Sequence, residues 1–269
     1  MATEKKDTRM LTGKCALVTG STGGIGFAVA EALAREGCHV VLNGFGAADE
    51  IEAGRRRLET EFGVSAIYHG ADLAKPGEIA ALVETANRAF GAVDILVNNA
   101  VVRHFAPIDA FPVDKWDQSI AVNLSAAFHT VRLALPKMRE RNWGRIVNMS
   151  SGYGYFAEPN RVDYVTTKTA LLGFTRAVAV EVARHDITCN ALCPGTVLTP
   201  AIEARIQALI EREHLSREAA VERYLTARQP SGRFIAAENI AGLVLFLCGP
   251  AGRDITGASL PIDGGWIAS

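Results

Sequence analysis

Long hydrophobic runs are missing from this chain of 269 residues. The strongest, Leu243 to Cys248, falls far short of the ~20 apolar residues that a bilayer-spanning helix needs. Met1 to Met10 is polar and lacks the apolar stretch of a secretory signal, so neither membrane insertion nor export is expected. Charge of one sign is also lacking, with a formal net charge of -1. The only basic tract, Arg55-Arg56-Arg57, falls in a helical pattern and reads as a solvated face, which argues against a nucleic-acid partner. Cysteine is scarce and odd in number, dispersed at Cys15, Cys38, Cys189, Cys193 and Cys248. Such cysteines read as reduced core residues, which implies a cytoplasmic location. Cys189 and Cys193 have apolar neighbours and no matching His or Cys pair, so no metal site is expected.

What is present is enough apolar material, 49% of the residues, for one large core, and residues 1–269 read as a single domain. Short β-like runs alternate with longer helical ones: Cys15 to Thr19, His39 to Asn43, Ser65 to His69, Asp94 to Asn98, Arg145 to Ser150, Ile187 to Cys193, and a last one near Ser259 to Asp263. That alternation predicts an α/β, Rossmann-like doubly wound parallel sheet of about seven strands. Residues 1–12 read as a flexible N-terminal segment. Thr199 to Gln229 is charged and helical-looking, placed before the closing helix Ala237 to Cys248, and reads as lid helices over the ligand crevice.

The first strand runs straight into Gly20-Ser21-Thr22-Gly23-Gly24-Ile25-Gly26, and Ala28, Val29, Ala32 and Leu33 then recur at helical spacing. Glycines at a strand-to-helix turn let the backbone approach a phosphate, which the free amides and the helix dipole favour. Far along the chain, Tyr164 is followed four residues later by Lys168, and Ser151 lies upstream. Positions i and i+4 share a helix face, so the ammonium can stand beside the phenol and favour phenolate. A lowering of about two or three units, at ~1.4 kcal/mol each, would make Tyr164 useful for general acid-base work on a carbonyl or hydroxyl.

Together with Asp72-Leu73, Asn98-Asn99-Ala100, Asn123, Ser150-Ser151 and Pro194-Gly195, these motifs resemble the short-chain dehydrogenase/reductase family over Gly13 to Trp266. The resemblance implies Tyr164 as the acid-base residue, Ser151 as a hydrogen-bond partner of the reacting oxygen, Lys168 as the group that lowers the phenol pKa and holds the nicotinamide ribose, and Asn123 as the holder of a relay water. It implies a cofactor site of Gly20, Thr22, Gly24, Ile25, Gly26, Phe45, Asp72, Leu73, Asn99, Tyr164 and Lys168, continued by Pro194, Gly195, Val197 and Thr199. The family habit also implies a homotetramer, with the helix Asn123 to Arg139 and the helix bearing Tyr164 at its interfaces. Val101 departs from the glycine the family usually carries after Asn-Asn-Ala. The second strand ends in Asn43-Gly44-Phe45-Gly46, without an acid or a base, and NAD is favoured over NADP because no Arg or Lys is there to welcome a 2'-phosphate.

Leu42-Asn43-Gly44-Phe45-Gly46, His69-Gly70-Ala71-Asp72-Leu73, Gln229-Pro230-Ser231 and Asp263-Gly264-Gly265-Trp266 are similar to bacterial D-3-hydroxybutyrate dehydrogenases. That subgroup holds a carboxylate with Gln, His, Lys and Gln and closes a Trp over it. Here Arg103, Tyr153, Arg161, Arg205 and Thr196 stand at those positions, and only His104 matches. Thr196 opens volume, and three guanidiniums suit an oxyanion, so a small anionic substrate is expected: a short hydroxy acid or, alternatively, a hydroxy-dicarboxylate, sulfonate or sugar acid. A non-catalytic dinucleotide sensor is the remote alternative, and such a protein has no need of Tyr164 or Lys168.

Overall fold

The computed structural model describes residues 9–226 and 228–269. Strands β1 (Cys15–Val18), β4 (Ile95–Asn98), β5 (Gly144–Met149) and β6 (Ile187–Pro194) are buried at every position. Their near-continuous apolar runs suit a parallel sheet covered on both faces. With β2 (His39–Leu42), β3 (Ala66–Tyr68) and β7 (Ser259–Ile262) they form one seven-stranded sheet in the order β3-β2-β1-β4-β5-β6-β7, every neighbouring pair parallel. The seven expected runs are all strands, their ends displaced by one residue at most, with β5 starting and β6 ending a residue beyond the expected run.

Helices α1 (Gly24–Arg35) and α9 (Ala237–Cys248) pack on one face, where Val29, Leu33, Ile240 and Val244 meet Ala16, Val18 and Val40. Helices α3 (Pro76–Phe90) and α5 (Ala126–Glu140) cover the other, where Ile79, Leu82, Ala134 and Met138 meet Leu17, Leu96 and Ile146. The chain order reverses between β1 and β4, and the crevice at such a switch point opens outside the carboxyl ends of the strands. The long helix α6 (Val162–Val182) follows β5, and α7 (Pro200–Glu213) and α8 (Arg217–Thr226) follow β6, so both arrive from that edge. Helix α2 (Ala48–Phe62) carries the basic tract, whose charges are matched locally: Arg55 pairs with Glu52 and Glu59, and Arg57 with Glu31 and Glu61. Among the described residues no helix is long and apolar enough to cross a membrane.

Two expectations need correction. Of the segment 1–12, residues 1–8 lie outside the described residues, but Arg9 to Thr12 are held in place. Arg9 donates to the Phe62 carbonyl at 2.6 Å, the Leu11 amide donates to Glu36 at 3.0 Å, and the Leu11 side chain enters the core. The helix expected to begin at Asn123 begins ten residues earlier. Helix α4 (Val113–Ile120) runs through a π-turn, Ala121–Ser125, into α5. The inserted π-turn shifts the phase of the helix, so the apolar period of α5 does not extrapolate back into the polar α4.

Asp94, fully buried before β4, ties the amino ends of β1 and β4 together. It accepts the Cys15 amide at 2.9 Å and an Arg141 guanidinium nitrogen at 3.1 Å. Asp94→Ala leaves the buried amide unpaired, while Arg141 stays partly solvated. We expect a loss of about 2 kcal/mol of stability, read as a lower urea midpoint with an unchanged slope. A midpoint equal to that of the parent protein would show that the bond contributes nothing net.

Candidate active site

One cleft of about 750 Å³ runs along the carboxyl ends of the strands from the glycine turn to α8. At its first end the backbone leaves no room for side chains. Gly20 and Gly24 have φ of 62° and 54°, in the left-handed region. A Cβ on Gly26 would collide with the Gly20 carbonyl oxygen, and one on Gly20 would lie 2.8 Å from the Ala100 Cα. Asn99 braces the turn by donating to the Thr19 and Gly20 carbonyls at 3.0 and 2.9 Å. Gly23 precedes α1 without a side-chain cap, so the first amides of the helix are open to an anion. This cradle fits the diphosphate of a dinucleotide.

Beyond it lie Thr22 and Phe45, the latter 71% exposed at the cleft edge. The Thr22 hydroxyl donates to the Phe45 carbonyl at 2.8 Å, and the Asn43 amide donates to His69 and Ala71, so this corner is occupied by its own bonds. Among the described residues lining this end, none carries a positive charge. Asp72 and Leu73 line the cleft, and Asp72 also caps its own loop by accepting the Ala74 amide at 3.0 Å. Ile25, Pro194, Gly195, Val197 and Thr199 line the cleft as well, as does Val101.

At the cleft's centre α6 presents Tyr164 and Lys168 one turn apart, both buried. Lys168 Nζ donates to the Met149 carbonyl at the end of β5 at 2.6 Å and lies 5.6 Å from the Tyr164 ring centroid. Burial pushes the Tyr164 phenol up, but the Arg103 guanidinium, the Lys168 ammonium and a hydrogen bond with Ser151 together bring it below the ordinary tyrosine value. Burial lowers the Lys168 ammonium, against the pull of Tyr164. The arrangement can take a proton from a hydroxyl, or return one to a carbonyl oxygen, while holding the charge that results.

The far end is cationic. Arg103 Cζ stands 5.2 Å from the Tyr164 ring centroid. Arg161 packs its guanidinium between aromatic rings, 4.2 Å from Phe105 and 5.0 Å from Tyr153, while Arg205 stands 4.8 Å from Phe105. The Tyr153 hydroxyl donates to Glu158, and the Tyr153 ring meets Tyr164 and Trp266 edge-on. Glu158 also accepts from Arg228 at 2.6 Å and lies 3.5 Å from Arg161. Burial raises the Glu158 carboxyl, yet Tyr153, Arg228 and Arg161 hold it below the usual range. Thr196 lines the cleft here and is pinned by Gln229, which accepts its amide.

The cleft thus collects Ser151, Tyr164, Lys168, Arg103, Tyr153, Arg161, Thr196 and Arg205, together with the cofactor candidates except Gly24. Three expected residues do not line it. Gly24 opens α1 through its backbone conformation. Asn123 sits in the π-turn, where its side chain accepts the Val102 amide at 2.8 Å and donates to the Val102 carbonyl at 3.0 Å. That amide therefore positions the backbone beside Arg103. His104 turns away, its Nε2 buried without a partner. Sequence reasoning missed Glu158, Arg228, Phe105, Tyr224 and Trp266. The Glu158–Arg161 spacing was a local signal, whereas Arg228 lies 70 residues from Glu158 and gave none.

Comparison with known proteins agrees with this geometry. A family model described as short chain dehydrogenase matches residues 14–209. A D-beta-hydroxybutyrate dehydrogenase of Cupriavidus necator is 44% identical over 96% of this chain and 100% of its own length. One of Rhizobium meliloti is 43% identical over 95% and 99%. The L-sorbose reductase of Gluconobacter frateurii, solved with NADPH and L-sorbose, matches with a TM-score of 0.91 at 31% identity, covering 97% of this chain and 99% of that one.

Because Arg103 favours phenolate at Tyr164, its removal has a signed consequence for pH dependence. With Arg103→Ala the Tyr164 phenol titrates higher, so the alkaline rise of alcohol oxidation moves to higher pH. A profile of kcat against pH checks this. A rise at the parent pH would show that Arg103 does not act on the phenol.

Proposed function

Because the chain belongs to the short-chain dehydrogenase family, we propose that it is an NAD-dependent oxidoreductase interconverting the secondary alcohol and ketone of a short hydroxy acid of the 3-hydroxybutyrate type. One observation carries the reading: a buried Tyr164, with Ser151 and Lys168 beside it, stands between a phosphate cradle and a cluster of guanidiniums. The bound dinucleotide supplies the hydride exchange. Gly20, Ile25 and Gly26 hold its diphosphate through backbone groups, with Asp72 and Leu73 at the adenine and Lys168 at the ribose of the nicotinamide half. The absence, among the described residues, of a cation beside Thr22, Asn43 and Phe45 supports NAD over NADP.

The substrate hydroxyl lies against Ser151 and Tyr164. In oxidation the Tyr164 phenolate accepts the hydroxyl proton, the resulting phenol gives it up to solvent, and Lys168 favours the phenolate for the next cycle. Arg103 and Arg205, which have no carboxylate partner among the described residues, receive the substrate carboxylate. Helices α7 and α8 serve as the lid. Ile202, Arg205 and Tyr224 face the cleft from them, and the Glu203–Arg217 ion pair ties the two together. Phe128 on α5 and Val180 on α6, 49% and 79% exposed, support a homotetramer built through those helices. Five free, buried cysteines support a cytoplasmic location.

Nicotinamide absorbance followed across short hydroxy acids, with NAD and NADP in parallel, tests the reading. We expect turnover of 3-hydroxybutyrate or a near homologue with NAD, and a fall in kcat of about a hundredfold or more for Tyr164→Phe at unchanged fold. Full activity in that variant, or no hydroxy acid turned over with either nucleotide, would overturn it.

A further inference from the structure

Beside the cleft, and sharing Phe105, Arg161, Arg205, Tyr224 and Arg228 with it, is a side chamber of about 420 Å³ that Glu158 also lines. Three of those residues are cations and one is an anion. Each Glu158 oxygen is engaged: one by Arg228 at 2.6 Å, the other by the Tyr153 hydroxyl and, at 3.5 Å, by Arg161. Arg161 is 9% exposed and held among aromatic rings, so its guanidinium cannot swing into water when its partner is lost. The donors that meet Glu158 are a phenol and two guanidiniums, the set that a free carboxylate would ask for.

We propose that Glu158 is a built-in carboxylate occupying the second anion position of the pocket, a specificity-determining residue that makes the site select hydroxy acids with one carboxylate over those with two. The inference rests on the reading of the protein as a hydroxy-acid dehydrogenase. With Glu158 in place, Arg161 and Arg228 are satisfied, and the cations left over, Arg103 and Arg205, match a single carboxylate. A second carboxylate reaching the chamber would meet Glu158 as a like charge and would have to break its bonds to enter. Removing the charge at Glu158 leaves two guanidiniums short of an acceptor, and the chamber then takes the second carboxylate.

Two measurements on the full chain test this. In steady-state kinetics with NAD, the ratio of kcat/KM for a hydroxy-monocarboxylate to that for the hydroxy-dicarboxylate of equal chain length should favour the monocarboxylate in the parent protein. It should fall by about tenfold or more in Glu158→Gln, chiefly through a lower KM for the dicarboxylate. Calorimetric titration of the NAD-bound protein with butanoate and butanedioate reads the same preference without turnover. Glu158→Gln should bind butanedioate about tenfold more tightly than the parent does. Glu158→Ala, which also vacates the volume, should move both readouts the same way. A ratio unchanged in both variants, or a parent that already prefers the dicarboxylate, overturns the proposal. If no hydroxy acid is turned over at all, the dehydrogenase reading fails, and the titration still decides whether Glu158 excludes a second carboxylate.

Discussion

A positive charge kept out of water, the Lys168 ammonium, is the constraint around which the site is organised. Desolvation works against that charge, so it persists only with acceptors fixed in place before any ligand arrives. The Met149 carbonyl is one, offered at the end of β5 at 2.6 Å, and the Tyr164 phenol is the other partner. For both to be in position, α6 has to lie against the carboxyl end of β5 in one register. Ser150 enforces this by donating to the Lys168 carbonyl at 2.8 Å, and Asn148 by donating to Thr175 at 2.9 Å. A Cβ on Gly154 would lie 2.9 Å from Ser150 Oγ and 3.3 Å from the Lys168 carbonyl oxygen, so the loop after β5 is close against the helix. The fold and the proton chemistry therefore share one set of bonds.

The same demand recurs at the far end of the cleft with the signs arranged differently. Four guanidiniums, from Arg103, Arg161, Arg205 and Arg228, line the far end of the cleft. Their mutual repulsion is relieved by one carboxylate, Glu158, and by aromatic faces: Phe105 serves both Arg161 and Arg205, and Tyr164 faces Arg103. Each such contact contributes about 0.5–2 kcal/mol, according to how far water is excluded. Trp266, stacked on Phe156 and edge-on to Tyr153, walls this end from the carboxyl-terminal segment. The arginines are thus held in place without being neutralised in full.

What could be read from the sequence follows from the range of each interaction. The strands were legible because a sheet covered on both faces needs unbroken apolar runs, as in Cys15–Val18 and Ile95–Asn98. The glycine turn and the Tyr164/Lys168 pair were legible because both are local geometry: a backbone that must be bare, and two positions one helical turn apart. The π-turn at Ala121–Ser125 was not, since it breaks the period from which helices are read. Asn123 showed its position but not its partner, Val102, which lies 21 residues away across a loop. The arginines were visible one by one as departures from similar chains. Their restraint by Glu158 and Arg228 depends on a contact spanning 70 residues, to which no spacing rule applies.

In the proposed reading the two ends of the cleft bind negative charge by different means, and this decides which of them can change. At the glycine turn the anion meets backbone amides, and the bareness of Gly20 and Gly26 is imposed by the Ala100 backbone and by the turn's own carbonyl. Any side chain there would disrupt the chain path itself, so that end admits little variation. At the far end the cations are long side chains from four separate segments: Arg103 from the loop after β4 and Arg205 from helix α7, proposed to meet the anion, with Arg161 from the start of α6 and Arg228 from the segment after α8 engaged by Glu158. Replacing one of them alters charge and reach without moving the sheet. A chain can therefore keep the dinucleotide half and the Tyr164 chemistry while exchanging the residues proposed to choose the acid. The Arg, Tyr and Thr substitutions around Tyr164 fall on that second end, where the fold sets position and leaves identity open.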